Sequence, residues 1–217
     1  SSVHEGSTAM RTLAALYNFR FEWHEDANHF NDKKLSEFDA VVFLQTTGDV
    51  LNEAQQQAFQ RFIRSGKGYV GVHSAADTEH DWQWYRQLVG HTFYIHPPVQ
   101  TARLQNLVPT FPGMESFAQD FIWTDEYYEY SEAHIEGLNY LLSIDERTYD
   151  VSADWGEKQA KGMGNFHPLA WYHNYDGGRA FYTGLGHMGS TYSDQRFLNH
   201  LYGGIYWSAT GKGILAD

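Results

Sequence analysis

Two short, uninterrupted apolar runs constrain the fold most: Asp39-Ala-Val-Val-Phe-Leu44 and Tyr69-Val-Gly-Val-His73. A strand with one wet face alternates apolar and polar residues. A run without alternation must be covered on both faces, as in a parallel sheet between helical layers. Between the runs, Asn52 and Gln55 form a capping-box pattern, and Ala54, Ala58, Phe59, Phe62 and Ile63 follow at helical spacing up to Gly66. Upstream, Met10, Leu13, Ala14 and Leu16 predict a helix over Glu5–Tyr17, and the alternation of Phe19–Trp23 predicts a strand. This order of elements, with short connections, specifies a doubly wound α/β sheet. Such sheets bind ligands beyond the carboxyl ends of their strands, where Thr46, Thr47, Asp49, His73, Ser74 and Asp77 fall.

The middle of the chain reads differently. From Trp82 to Tyr149 it is rich in aromatics and punctuated by Pro97, Pro98, Pro109 and Pro112. Strands are predicted at Thr101–Leu107, Phe121–Tyr130 and Tyr140–Ile144, an antiparallel excursion of the same sheet. His167–His173, a turn at Tyr175–Gly178 and Arg179–Thr183 predict a hairpin. A last helix starts at Asp194 and buries Phe197, Leu198, Leu201, Ile205 and Trp207. No repeat or linker interrupts residues 1–217, so one domain is expected.

Composition narrows the function. The formal charge is −12 and the sequence pI about 5.3, which argues against nucleic acid and anionic membrane surfaces. No apolar run is long enough for membrane insertion, so a soluble chain is expected. Neither a cytoplasmic nor an exported location is favoured, and a homo-oligomer fits the reading. The chain has no cysteine, which excludes disulfides, zinc–thiolate sites and a cysteine nucleophile. Its 7 Trp, 15 Tyr and 14 Phe mostly fill a core. Aromatic faces interleaved with carboxylates also suit a small carbohydrate or glycoside.

Several residues are candidates for chemistry. His73, in Gly71-Val-His-Ser-Ala75, ends a strand among small residues, as at a nucleophile elbow. His187 follows the Arg179–Thr183 strand between glycines. Asp125 and Glu126 are adjacent, so on a strand only one can enter a given pocket. His73, His96 and His187 with a carboxylate could hold zinc, manganese or iron. The bland reading makes each histidine a loop residue satisfying backbone groups. Tyr128, Trp171, Thr47, Asp49, Ser74 and Asp77 are the candidate substrate-binding residues.

Together, several segments resemble the ThuA-like (trehalose utilisation) family of the class I glutamine amidotransferase-like superfamily. They are Phe43–Leu51, Gly71–Thr78, Trp82–Tyr85, His96-Pro97, Asp125–Tyr128, His167–Trp171, Gly178–Tyr182 and Gly184–His187. The resemblance implies a flavodoxin-like, mostly parallel sheet flanked by helices. In amidotransferases of this superfamily the elbow carries a catalytic cysteine; here His73 stands at that position, and His187 resembles the histidine after a later strand. Glutamine hydrolysis by a thiolate is therefore excluded. Family members usually open with a strand just ahead of the position of Ser1; without it two neighbouring strands would lack a partner.

The resemblance also implies sugar chemistry, namely processing of 3-keto-glycosides by histidine-based or metal-assisted acid–base steps. His73 or Glu126 would be the base, His187 or a metal the stabiliser of the enolate, and Tyr128 or Asp77 would position hydroxyls. A lyase or hydrolase follows from this reading. The alternative is a non-catalytic sugar-binding or partner module on an amidotransferase-like scaffold. A Ser74/His187 hydrolase is a third.

Overall fold

A computed structural model describes residues 2–213. The elements are helix α1 (Ser2–Tyr17), α2 (Asp32–Leu35), strand β1 (Ala40–Leu44), α3 (Glu53–Arg64), β2 (Gly68–Val72), α4 (Gln83–Val89), β3 (Phe93–Ile95), β4 (Gln100–Asn106), β5 (Asp120–Asp125), β6 (Glu129–Tyr130), β7 (Asn139–Asp145), β8 (Ala153–Asp154), β9 (Gln159–Ala160), β10 (His167–Tyr175), β11 (Gly178–Thr183) and α5 (Gln195–Thr210). Seven strands form one sheet in the order β1-β2-β11-β10-β7-β4-β5. The ribbons β3-β6 and β8-β9 stand apart from it.

Both apolar runs are strands, and β2 is buried at all five positions. Its residues divide between two cores. Val70 and Val72 join Leu44, Phe181 and Leu201 on the face covered by α1 and α5, while Tyr69 joins Phe43, Phe59, Ile63 and Tyr182 on the face covered by α3 and α4. The predicted capping box starts α3: the Asn52 side chain accepts the Gln55 N–H, and the Gln55 side chain accepts the Asn52 N–H. Helix α5 lies so close to β11 that a Cβ at Gly204 would stand 2.4 Å from the Phe181 ring. Only a side chain of one hydrogen permits that approach.

Three expectations are corrected. The sheet is mixed rather than mostly parallel: β2 pairs in parallel with β1 and β11, and the other four pairings are antiparallel. The cause is the β10–β11 hairpin, whose tight turn through Asp176 (φ 46°) and Gly177 (φ 89°) reverses the chain and places β7, β4 and β5 beyond it. Second, Phe19–Trp23 is not a strand. Its aromatics pack instead: Phe19 stacks on Tyr202 of α5 at 6.2 Å, and Phe19, Phe21 and Trp23 lie against the core of α1 and α5. Among the described residues β1 is an edge strand, and a groove of about 790 Å³ runs between it, residues 19–23 and Tyr202. The predicted strand over Phe121–Tyr130 is interrupted: residues 126–128 leave the ladder between β5 and β6.

The folded core holds neutral histidines. His200 is fully buried between Phe181, Phe117 and Met114. Burial pushes His200 down to about 3 and, more than any other cause, pushes His91 down to about 3. Such a group takes up a proton more readily once unfolded, so its contribution is present above the unfolded value near 6.5 and is lost as pH falls toward 3. Between pH 7 and pH 5 the unfolding free energy should therefore fall by about 2 kcal/mol for each of the two. Denaturant titrations at both pH values check this. In His200→Leu the loss should be roughly halved; an unchanged loss would refute the assignment.

Candidate functional site

The site forms where the sheet's topology brings three breaks in regular structure together. The first follows β2. His73 adopts φ 51°, in the left-handed region that costs a non-glycine residue about 1–3 kcal/mol. The surroundings hold it there: the Tyr182 hydroxyl donates to the His73 carbonyl at 2.6 Å, and His73 Nδ1 donates to the Gly184 carbonyl at 3.0 Å. The small residues around the turn have a steric role. A Cβ at Gly71 would lie 2.6 Å from the Tyr69 hydroxyl and 3.2 Å from Ala75 Cβ. The elbow read from the sequence is thus present, with an imidazole at its centre.

The second break separates Asp125 from Glu126, and the two carboxylates take different roles. Asp125 is fully buried and clamps the loop after β11. It accepts the N–H groups of Gly186 (2.9 Å), His187 (3.1 Å) and Met188 (3.3 Å), and also that of Glu126 (3.0 Å). Gln45, after β1, grips the same loop by donating Nε2–H to the Gly186 carbonyl. This loop, the third break, carries His187.

Glu126 faces the imidazoles. Its Oε2 is 3.1 Å from His73 Nε2 and 3.3 Å from His187 Nδ1, and its Oε1 is 3.3 Å from His96 Nδ1. Burial opposes the negative charge of Glu126. The His73 hydrogen bond, with the charges of His73, His96 and His187, outweighs that penalty and holds the carboxyl below its usual value. The ligand atoms of His73, Glu126 and His187 all lie within 4.8 Å of one another, so this group could hold a metal ion. The tautomer of His73 supports the fit. A carbonyl oxygen only accepts, so Nδ1 carries a hydrogen. In neutral imidazole the Nε2 lone pair then points at a carboxylate oxygen, and two acceptors face each other unless a proton or a cation lies between them. A backbone carbonyl orienting the far nitrogen is the usual support of a metal-binding histidine. Two imidazoles and one carboxylate suit zinc or iron.

Aromatics wall the site. The Tyr128 ring lies 4.3 Å from that of His73 and 5.6 Å from that of His96. Burial, then the charges of Glu126 and Asp77, push the Tyr128 phenol up, so it stays a neutral hydroxyl. His167 links the Tyr128 carbonyl (2.8 Å) to Glu146 (2.8 Å), which also accepts the Met163 and Gly164 N–H groups. At the loop ends, Asp77 accepts the Thr47 hydroxyl at 2.5 Å and pairs with His80 Nε2 at 2.7 Å. Ser74 is half-buried and Asp49 is exposed on the loop after β1.

Among the expected site residues, His73, His187, Glu126, His96 and Tyr128 converge. Of the expected set of three histidines and a carboxylate, His73, His187 and Glu126 form a group that could hold a metal ion, and His96 contacts the other oxygen of that carboxylate. Trp171 is corrected. It is fully buried, stacks on Tyr182 at 4.3 Å and donates its indole N–H to the Val89 carbonyl, so it presents no face to a substrate. Sequence reasoning missed the clamps made by Asp125 and Gln45. A buried acid beside another acid was the only signal for Asp125, and the loop amides it clamps lie 61 to 63 residues away.

The family model described as trehalose utilisation (ThuA) matches residues 1–208. Among solved structures, a ThuA-like protein from Bacteroides uniformis superposes with a TM-score of 0.78 at 23% identity, covering 94% of this chain and 83% of that one. A cytoplasmic protein from Salmonella typhimurium gives 0.67 at 9% identity, covering 94% and 87%. The chain also resembles part of a β-galactosidase from Bacillus circulans sp. alkalophilus, with a TM-score of 0.51 at 15% identity, covering 84% of this chain and 24% of that one. No curated protein sequence matches. The solved structures share this chain's fold, in which the turn after β2 presents His73, and the family model shows that the chain belongs to the ThuA trehalose-utilisation family.

Proposed function

We propose that this protein is a carbohydrate-processing lyase that opens 3-keto-glycosides by β-elimination. The observation that carries the reading is the convergence of His73, His96 and His187 on the single carboxylate of Glu126. Family membership supports a sugar as substrate. A ketone at C3 acidifies the proton on C2. Once a base removes that proton, its electron pair forms the C1–C2 double bond, and the C1–O bond breaks with its electrons leaving on the departing alcohol. That oxygen then takes a proton, so atoms and charge balance.

The geometry distributes the roles. His73 is 2% exposed at its side chain and is enclosed behind Glu126, which suits holding rather than contacting substrate. Glu126 is held anionic below its usual range and engaged by its neighbours, which weakens it as a base. His96 is better placed. Its Nδ1 faces two acceptors, the Pro97 carbonyl at 3.0 Å and Glu126 Oε1 at 3.3 Å, so Nδ1 carries a hydrogen and Nε2 is the basic nitrogen. We assign C2 proton removal to His96 Nε2, with Glu126 stabilising the imidazolium. The same imidazolium returns the proton to the leaving oxygen. The neutral Tyr128 hydroxyl and the Thr47–Asp77 pair orient substrate hydroxyls. A divalent cation held by His73, Glu126 and His187 would supply positive charge for the C3 oxygen as negative charge develops there.

Release of p-nitrophenol from p-nitrophenyl 3-keto-β-glucoside measures the step directly. His96→Ala should lower kcat by about 100-fold or more, with folding unchanged by circular dichroism. Wild-type turnover in that variant would remove His96 from the mechanism. An inert wild type that still binds sugar in calorimetry would favour the binding-module reading.

Metal binding is a separate measurement. Titration of the metal-free protein with zinc or manganese should show one site per chain, lost in His73→Ala and Glu126→Gln. Asp125→Asn, which loosens the loop carrying His187, should weaken it by about 10- to 100-fold. Affinity should fall as pH drops through the histidine range, because protons compete for the ligands. Equal affinity in wild type and Glu126→Gln would refute the site.

A further inference from the structure

The aromatic wall continues outward beyond the candidate site, onto a small hairpin. Among the described residues strands β8 and β9 pair only with each other, and their connection carries Trp155, half of whose surface is exposed. The indole meets the His96 ring at 4.8 Å and 89°, and lies 6.1 Å from the Phe93 ring. His96 in turn stacks against Tyr128, which packs on His73. The rings thus form a continuous row from the buried elbow to solvent, ending in a half-exposed tryptophan.

The hairpin tip is held in place. The Trp155 N–H donates to the Lys158 carbonyl at 2.9 Å, and the Gly156 N–H donates to Asp154 Oδ1 at 2.8 Å. Lys158 Nζ reaches across to the Tyr94 carbonyl at 3.2 Å and lies over the Tyr94 ring at 5.4 Å. Tyr94 belongs to β3, the strand that leads directly into His96. The platform and the histidine are therefore tied to the same backbone, and the distance between them is fixed by hydrogen bonds.

We propose that Trp155 is the floor of an outer sugar subsite, taking the second pyranose ring of a disaccharide while the first lies at His96 and Glu126. The apolar C–H face of a pyranose stacks on indole, and the exposed carboxylate of Glu157 on the same tip accepts hydroxyl protons. The proposal rests on the sugar reading above, but it concerns binding and not turnover.

Calorimetric titration with trehalose and with methyl α-glucoside tests it. The second ring makes trehalose the tighter ligand of wild type, and Trp155→Ala weakens trehalose about five- to tenfold while changing methyl α-glucoside less than about twofold. Trp155→Phe recovers part of the loss. Equal weakening of both sugars, or unchanged trehalose affinity in Trp155→Ala at wild-type thermal stability, overturns the subsite. Failure of wild type to bind either sugar overturns the subsite, while the sugar reading is judged separately by turnover of the p-nitrophenyl 3-keto-β-glucoside. The selective loss, found in a protein that does not turn over 3-keto-glycosides, supports the subsite and removes only the catalytic assignment.

Discussion

A carboxylate with little access to water must be paired, and the way Glu126 is paired organises the whole site. Its partners are three imidazoles. Imidazole differs from guanidinium or ammonium in being able to lose its charge near neutral pH. A carboxylate paired with arginine would be locked into one state. Paired with histidines, it keeps a proton or a cation in play. The fold supports this choice at considerable cost elsewhere: a left-handed His73, a buried Asp125 spent on loop amides, and a ladder interrupted at residues 126–128. Each places a donor or acceptor at the same point, which is the expected signature of a site and not of a core.

Asp125 and Glu126 show how one step in sequence separates two roles. Adjacent side chains leave a strand on opposite sides. Asp125 ends β5 and turns toward the 186–188 loop, whereas Glu126 turns toward His73. The clamp and the site are therefore mechanically linked through one peptide bond. Displacing the His187 loop removes acceptor bonds from Asp125, and the same peptide positions Glu126. The elbow is tied in as well, because Gly184, at the base of that loop, accepts from His73. The three breaks in regular structure behave as one unit.

The legibility of the chain follows the range of the interactions involved. Elements defined by local chemistry were readable: the Asn52 capping box, the Tyr175–Gly178 turn, the unalternating runs of β1 and β2, and the helix begun by Asp194. Phe19–Trp23 misled because alternation reports only which side chains face inward. Strand formation also needs a partner's backbone groups, and among the described residues none is paired there. The mixed character of the sheet was half visible, since the hairpin after His167 demands an antiparallel pair, yet which neighbour β10 takes on its other side is a long-range matter. In the site, His73, His187 and Glu126 could be singled out by their strand ends and glycines. The tautomers could not, because they depend on carbonyls such as Gly184, 111 residues from His73.

The charge of the molecule bears on the ligand as well. A formal charge of −12 creates a negative field that repels anions and draws cations toward any cluster of acceptors. In the candidate site Glu126 is anionic with Asp125 and Asp77 close by, and the groups facing Glu126 are imidazoles. Such a pocket is poorly suited to a phosphorylated or carboxylated sugar, whose charge would meet both the field and the carboxylate. A neutral glycoside pays neither penalty. In the β-elimination proposed above, negative charge would arise only during reaction, on the oxygen of the substrate, where an imidazolium or a divalent cation would meet it. The absence of cysteine acquires its meaning in this setting. A thiolate at the elbow would add a further negative charge beside Glu126, whereas the imidazole of His73 can neutralise one.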